Sequence, residues 1–197
     1  MAERLLTLSL RTRVGDLADE LYISHGAGTG AWHEGEPMNP PAAQELLRRG
    51  GDSTNFTARR LSRAMLDVSD LILCATSEQV TAVLRLRPAV EEKTFVLGEF
   101  GRLLPRVDQS VLPPAGRTPA EAHGRGIALV AAVDALRGGG AVWGSDGQSR
   151  VRPRRADNLD DPWGLEQSQY ARVADEIEHT VVPLAAALTG VNVPRPA

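Results

Sequence analysis

Short apolar runs alternate along this chain with amphipathic stretches that open on helix caps. The pattern predicts an α/β fold, a three-layer arrangement with helices on both faces of a small parallel sheet. Two observations carry it. Leu71-Ile72-Leu73-Cys74-Ala75 is continuously apolar between Asp70 and Thr76, as a strand covered on both faces requires. Helix starts are also explicit: Ser62 stands where a cap is needed, and Thr76 with Gln79 and Thr118-Pro119 with Glu121 have the spacing of capping boxes.

Taken in order, Met1 to about Arg11 reads as a helix with Leu5, Leu6, Leu8 and Leu10 on its apolar side, broken at Gly15-Asp16. Glu20 to Ser24 reads as a short strand, followed by a glycine-rich loop from His25 to Glu36. That loop has neither the Gly-Lys-Ser/Thr of a nucleotide-binding loop nor the dinucleotide fingerprint. It is a turn presenting Trp32, either as a partly buried packing residue or as a pocket wall. Pro40-Pro41 opens a helix with Ala42, Ala43, Leu46 and Leu47 facing inward and Gly50-Gly51 as its stop. Asp52 to Arg60 is a loop, and Ser62 caps a helix through Val68.

After the Leu71–Ala75 strand, the Thr76 helix runs to about Leu86, with Pro88 just beyond. Thr94 to Leu97 is a strand, a helical turn or two covers Glu99 to Leu104, and Pro105 to Arg117 is loop. The Thr118 helix runs to about Arg137 and stops at Gly138-Gly139-Gly140. The polar stretch to Asp160 carries Arg150, Arg152, Arg154 and Arg155, a solvated loop or, as the lesser reading, an anionic docking surface. The last helix spans about Leu165 to Leu188, with Val173, Ile177, Val181, Leu184 and Leu188 on one face and a bend expected at Pro183. The count is about three strands against five or six helices, and no strand feeds the first helix.

The chain's 197 residues suffice for one domain with a core, so 1–197 is expected to be a single domain. Charge is −3, which gives no basic field for nucleic acid. One cysteine, Cys74, excludes a disulfide framework, and His25, His33, His123 and His179 have no metal-ligand spacing, so no metal or cofactor is expected. No apolar run has the length of a membrane span, and Met1-Ala2-Glu3-Arg4 lacks the layout of a secretory signal. The expected location is the cytoplasm.

Asp160-Asp161-Pro162-Trp163-Gly164 is the stretch with most chemistry in it. Pro162 biases Asp161 toward an extended conformation and so out of any helix. The segment reads as a turn feeding a helix, or as a loop that aims an acid into a pocket with Trp163 as an apolar wall.

Together these residues resemble the low-molecular-weight protein tyrosine phosphatases. Met1-Ala2-Glu3-Arg4 looks like the end of that family's signature, a Cys-x5-Arg loop followed by Ser-Pro-Met/Ile-Ala-Glu. Gly26 to Pro37 is similar to its S-A-G-T segment and aromatic pocket loop, Thr57-Ala58-Arg59-Arg60-Leu61 to its H-x-A-R-x-L segment, Asp70 to Ser77 to its third strand, and Asp161-Pro162-Trp163-Gly164 to its D-P-[YF]-G acid loop. The resemblance implies phosphomonoester hydrolysis without metal, through a phosphocysteine formed by a low-pKa thiolate at a helix N-terminus. It gives the general-acid role to Asp161, with Asp160 as fallback, and the walls around the substrate ring to Trp32 and Trp163. The partner it implies is a phosphotyrosine protein or a small aryl phosphate.

The family's cysteine and loop arginine are absent. Cys74 lies in an apolar strand and the residue six positions on is Val80, so it reads as a buried small hydrophobe. Gly26 stands where the family has serine, and Phe56 where it has the histidine of its loop network. Two expectations follow. In one, the full-length chain starts earlier and carries the first central strand and its Cys-x5-Arg loop; without them a slot with unpaired backbone remains, each buried orphan costing about 1–3 kcal/mol. In the other, the chain is a pseudophosphatase that binds and regulates without chemistry.

Overall fold

The structure is a computed structural model, and it describes residues 1–137 and 154–192. The helices are α1 (Ala2–Val14), α2 (Leu17–Leu21), α3 (Pro40–Arg48), α4 (Arg63–Val68), α5 (Ser77–Leu86), α6 (Leu97–Leu103), α7 (Pro119–Ala135) and α8 (Gln167–Thr189). Two strands, β1 (Ile72–Cys74) and β2 (Thr94–Val96), pair in parallel with Leu73 opposite Phe95 and Cys74 opposite Val96. The register sorts the core into two sides. Phe95 and Leu73 pack toward Phe100, Leu129, Val133 and Leu184 of α6, α7 and α8. Cys74 packs toward Leu66 of α4 and Val83 of α5. Helices therefore cover both faces of the small parallel sheet, as the sequence predicts.

The caps form as spaced. Ser62 accepts from the Met65 N–H, and Thr118 and Glu121 exchange side-chain bonds with each other's backbone. At α5 only half the box closes: Thr76 accepts from Gln79 N–H, but the Gln79 amide oxygen accepts from Ala75 N–H instead. α8 buries Val173, Ile177, Val181 and Leu184, runs through Pro183, and ends on Gly190 in the left-handed region.

Three expectations are corrected. Glu20–Ser24 is not a strand. Its first residues complete α2, and Tyr22 leaves the helix extended (φ −136°, ψ 134°). A strand exists only when a neighbour takes its backbone bonds, and among the described residues no hydrogen bond closes on the backbone of Ile23, Ser24 or His25. Leu47 faces out, 59% exposed, and Glu45 lies inside between Arg48 and Arg49. Adjacent helix residues point about 100° apart, and the buried face of α3 takes in Ala42, Glu45 and Leu46, which turns Leu47 out. β1 is also less covered than its apolar run implies, since Ile72 and Leu73 are half-buried while all of β2 is buried. Gly138-Gly139-Gly140, Arg150 and Arg152 lie outside the described residues; Arg154 and Arg155 are exposed.

Candidate active site

The exposed side of β1 faces a cavity of about 990 Å³. Its walls include Leu6 and Leu10 of α1, Ile23 to Gly30, Leu71 to Thr76, and Leu129 and Val130 of α7. Asp160, Asp161, Pro162, Trp32 and His33 stand in the same lining. The location follows from the sheet: loops that leave the carboxyl ends of parallel strands converge beside the sheet, where ligands bind in open α/β folds.

The loop that carries Asp160 and Asp161 is tied to that end of β1 by two bonds. Leu159 N–H donates to the Ala75 carbonyl at 2.9 Å, and the Asn158 side chain accepts from Ser77 N–H at 3.0 Å. One turn below, Asp157 is buried and holds Arg102 in a two-pronged pair at 3.0 and 3.1 Å. That pair occupies the cation lining a smaller hollow of about 380 Å³ between α6 and α8. The loop then turns sharply. Leu165 N–H donates to the Pro162 carbonyl at 3.0 Å, with Gly164 at φ 75°, a conformation that side-chain-bearing residues seldom adopt.

The turn leaves Asp161 outside any helix, as Pro162 predicts. Its Oδ1 accepts from Trp163 N–H at 3.0 Å, which fixes the carboxyl against its own loop. Asp160 points elsewhere: its Oδ2 pairs with Arg172 of α8 at 2.8 Å. The two neighbouring carboxylates thus differ in what they can do, because Asp160 is bound to a guanidinium and Asp161 is held only by a backbone N–H among the described residues.

The opposite wall is the loop from Gly26 to Glu36. Glu3 anchors its start, accepting from Gly26 N–H at 2.6 Å and from Arg59 at 2.7 Å, while Arg59 also donates to the Gly26 carbonyl. Gly28 bonds to Arg59 and Leu61, and Gly35 to Ala58, so the 57–61 segment laces the loop down its length. Trp32 is 87% exposed, which removes the reading of a partly buried packing residue. Its ring lies over Gly30, where an added Cβ would stand 2.1 Å from a ring carbon. Trp163 is half-exposed across the gap.

His33 joins the two loops and is the residue that sequence reasoning missed. Its ring stacks on Trp163 with centroids 4.5 Å apart, and its Nδ1 lies 2.7 Å from Glu36 Oε2. The one available signal was local: histidine next to the presented Trp32, with a carboxylate three residues on. Trp32, His33 and Asp161 therefore line one cavity, and Trp163 adjoins it through its stack on His33. Cys74 also lines the cavity, but burial pushes its thiol up to about 12, so it is protonated at neutral pH and a poor nucleophile. Among the described residues, no cluster of three or more His, Cys, Asp or Glu could hold a metal, and no helix is long and apolar enough to cross a membrane.

No protein-family model matches the chain. Over 102 residues the chain is 30% identical to a low molecular weight protein-tyrosine-phosphatase of Streptomyces coelicolor, covering 51% of this chain and 58% of that relative. The chain thus spans well under the full length of the curated relative that it matches. Among solved structures, it is similar to the Erwinia amylovora tyrosine phosphatase amsI (TM-score 0.56, 18% identity, 92% of this chain and 79% of that one). It is also similar to Vibrio vulnificus Wzb, solved with benzylphosphonate (TM-score 0.57, 15% identity, 93% and 86%). A protein tyrosine phosphatase from Entamoeba histolytica gives a TM-score of 0.59 at 15% identity, over 93% and 83%. At these identities the likeness to solved structures is one of fold.

Proposed function

We propose that this chain, which resembles the low-molecular-weight protein tyrosine phosphatases in sequence and in fold, is the ring-binding and acid-bearing part of a phosphomonoesterase for phosphotyrosine or small aryl phosphates. One observation carries the reading: Asp161 stands at the same cavity mouth as Trp32, beside the His33–Trp163 stack. Flat apolar walls suit an aryl ring, and a carboxyl in the same cavity lining suits the oxygen that leaves with it.

The chemistry needs a nucleophile. In the full-length form of this reading, a segment ahead of Met1 supplies a Cys-x5-Arg loop. Its thiolate attacks phosphorus, an S–P bond forms as the P–O(aryl) bond breaks, and Asp161 gives its proton to the departing phenolate. The Asp161 carboxylate then takes a proton from water as that water attacks phosphorus and breaks the S–P bond. No metal or cofactor enters, and the cytoplasmic expectation belongs to the same reading.

The 197-residue chain alone should not turn over p-nitrophenyl phosphate. Turnover that survives Cys74→Ser and is lost in Asp161→Asn would contradict this account of the nucleophile. In a longer chain with Cys-x5-Arg, Asp161→Asn should slow hydrolysis of aryl phosphates by about 10²–10⁴. An unchanged rate would move the acid role to Asp160.

A second reading, a pseudophosphatase that binds phosphotyrosine without cleaving it, is favoured by two positions. Gly26 offers its N–H to Glu3, and Phe56 packs against the core beneath α3 and α8, where the family's pattern has polar side chains. Tight binding of a phosphotyrosine peptide to the 197-residue chain, with no turnover in any longer form, would establish it.

A further inference from the structure

We propose that Trp32, Trp163 and Leu165 form a docking ledge for a basic polypeptide segment, whose Lys and Arg side chains lie against the two indoles. The ledge deepens the proposed function: resting on that reading, it narrows the substrate class to phosphotyrosine flanked by Lys or Arg.

The first argument is presentation. Trp32 is 87% exposed, and Trp163 and Leu165 are each more than half exposed. The indoles are nevertheless held in place. Trp32 lies over Gly30, and Trp163 stacks on His33. Each ring spends one face on a loop and offers the other to solvent. A fixed indole is the best side-chain partner for an ammonium or guanidinium. Among the described residues, Arg137 stands over Phe95, and no cation of the chain covers Trp32 or Trp163.

The second argument is charge. The chain as a whole is near balance, with 22 Lys and Arg against 25 Asp and Glu. The loops 26–36 and 158–166 are not: they hold Glu34, Glu36, Asp160, Asp161 and Glu166, with no Lys or Arg. All of these carboxylates are exposed, and the His33–Trp163 stack puts both loops on one surface. Glu36 is met by His33 and Asp160 by Arg172. Glu34, Asp161 and Glu166 have no ion pair among the described residues. The 57–61 segment adds Arg59, spent on Glu3, and the exposed Arg60, which leaves the surface acidic.

These charges choose the occupant. A second copy docked about a two-fold axis would set the same carboxylates against each other, and an anionic lipid surface would be repelled. A basic segment compensates the carboxylates and covers the indoles at once. With its tyrosine in the cavity beside Asp161, the residues flanking that tyrosine lie on the ledge.

The test titrates the 197-residue chain with two tyrosine peptides of equal length, one flanked by Arg and one by Glu. The indole N–H resonances of Trp32 and Trp163 are followed by NMR. At low salt the Arg peptide should bind about tenfold tighter and shift both resonances, since exposed cation–ring and ion-pair contacts are each worth a factor of a few. Salt of about 1 M, with a screening length of about 3 Å, should remove most of the difference. Glu34→Lys should narrow it about threefold, and Trp32→Ala should weaken the Arg peptide about threefold while leaving the Glu peptide unchanged.

Equal binding of the two peptides, or shifts that spare both indoles, would overturn the ledge. So would indoles already covered in a chain of dimeric mass, which would make a second copy the occupant. In a longer chain with Cys-x5-Arg, kcat/KM for the phosphotyrosine forms should follow the same order, and equal values would also overturn it. Hydrolysis of neither form, with the peptide preference intact, would keep the ledge and count against the phosphatase reading.

Discussion

The two strands of this molecule have opposite surroundings. β2 is buried at every residue, with Phe95 edge-on to Phe100 at 5.1 Å and Arg137 over its ring. β1, three residues long and hydrogen-bonded to it, keeps Ile72 and Leu73 half-exposed beside a cavity, and the 23–25 segment beyond makes no backbone hydrogen bond among the described residues. The difference separates the cohesive part of the fold from the part that holds the candidate site. The closed half, β2 with α6, α7 and α8, carries the cohesion; the open half carries Asp161, Trp32, His33 and Trp163, together with the unpaired backbone. A region with unpaired backbone and exposed apolar side chains belongs to the low-stability end of a fold.

Substitutions sharpen the contrast. Phe95→Ala empties the centre of the closed half and should cost about 3–5 kcal/mol in urea unfolding. Ile23→Ser on the open side should stay within about 0.5 kcal/mol. Equal costs would erase the distinction between the halves.

Glu45 gives a smaller effect with a pH signature. The Arg48 hydrogen bond, opposed by burial and reinforced by Arg49, holds its carboxyl below the ordinary value. A carboxyl depressed in the folded chain contributes stability that is full above its unfolded value and is lost as pH falls through the folded one. Glu45→Gln should cost about 1–3 kcal/mol at neutral pH and flatten the acid side of the stability profile. An unchanged acid limb would place that dependence on other carboxylates.

The smallest effect on stability should come from His33→Ala. The ring is exposed and its partners, Trp163 and Glu36, lie at the surface, so unfolding should shift by less than about 0.5 kcal/mol. Binding of an aryl phosphate by a longer, active chain should nevertheless weaken, because the acid loop loses its contact with the aromatic loop. Unchanged KM would separate His33 from the site.

What the sequence made legible divides along the same line. Caps depend on residues a few positions apart, so Ser62, Thr76 and the Thr118–Glu121 box could be read directly. β2 and the buried face of α8 followed from apolar pattern. The Glu20–Ser24 strand failed because strand formation is a relation between two segments, and its residues know nothing of whether a neighbour is present. Leu47 failed because its apolar character was weighed above its angle on the helix. At the candidate site, Pro162 and Gly164 announced a turn and the glycine-rich loop announced an exposed Trp32, but His33 became visible only once the fold had brought two loops together 130 residues apart (33 and 163).

The most direct test is native-state amide exchange on the 197-residue chain alone. Thr94–Val96 should exchange only through global unfolding, while 23–25 should exchange close to the rate of an unprotected peptide. Protection of 23–25 equal to that of β2 would mean that the open half is already closed, and would contradict the division on which this account rests.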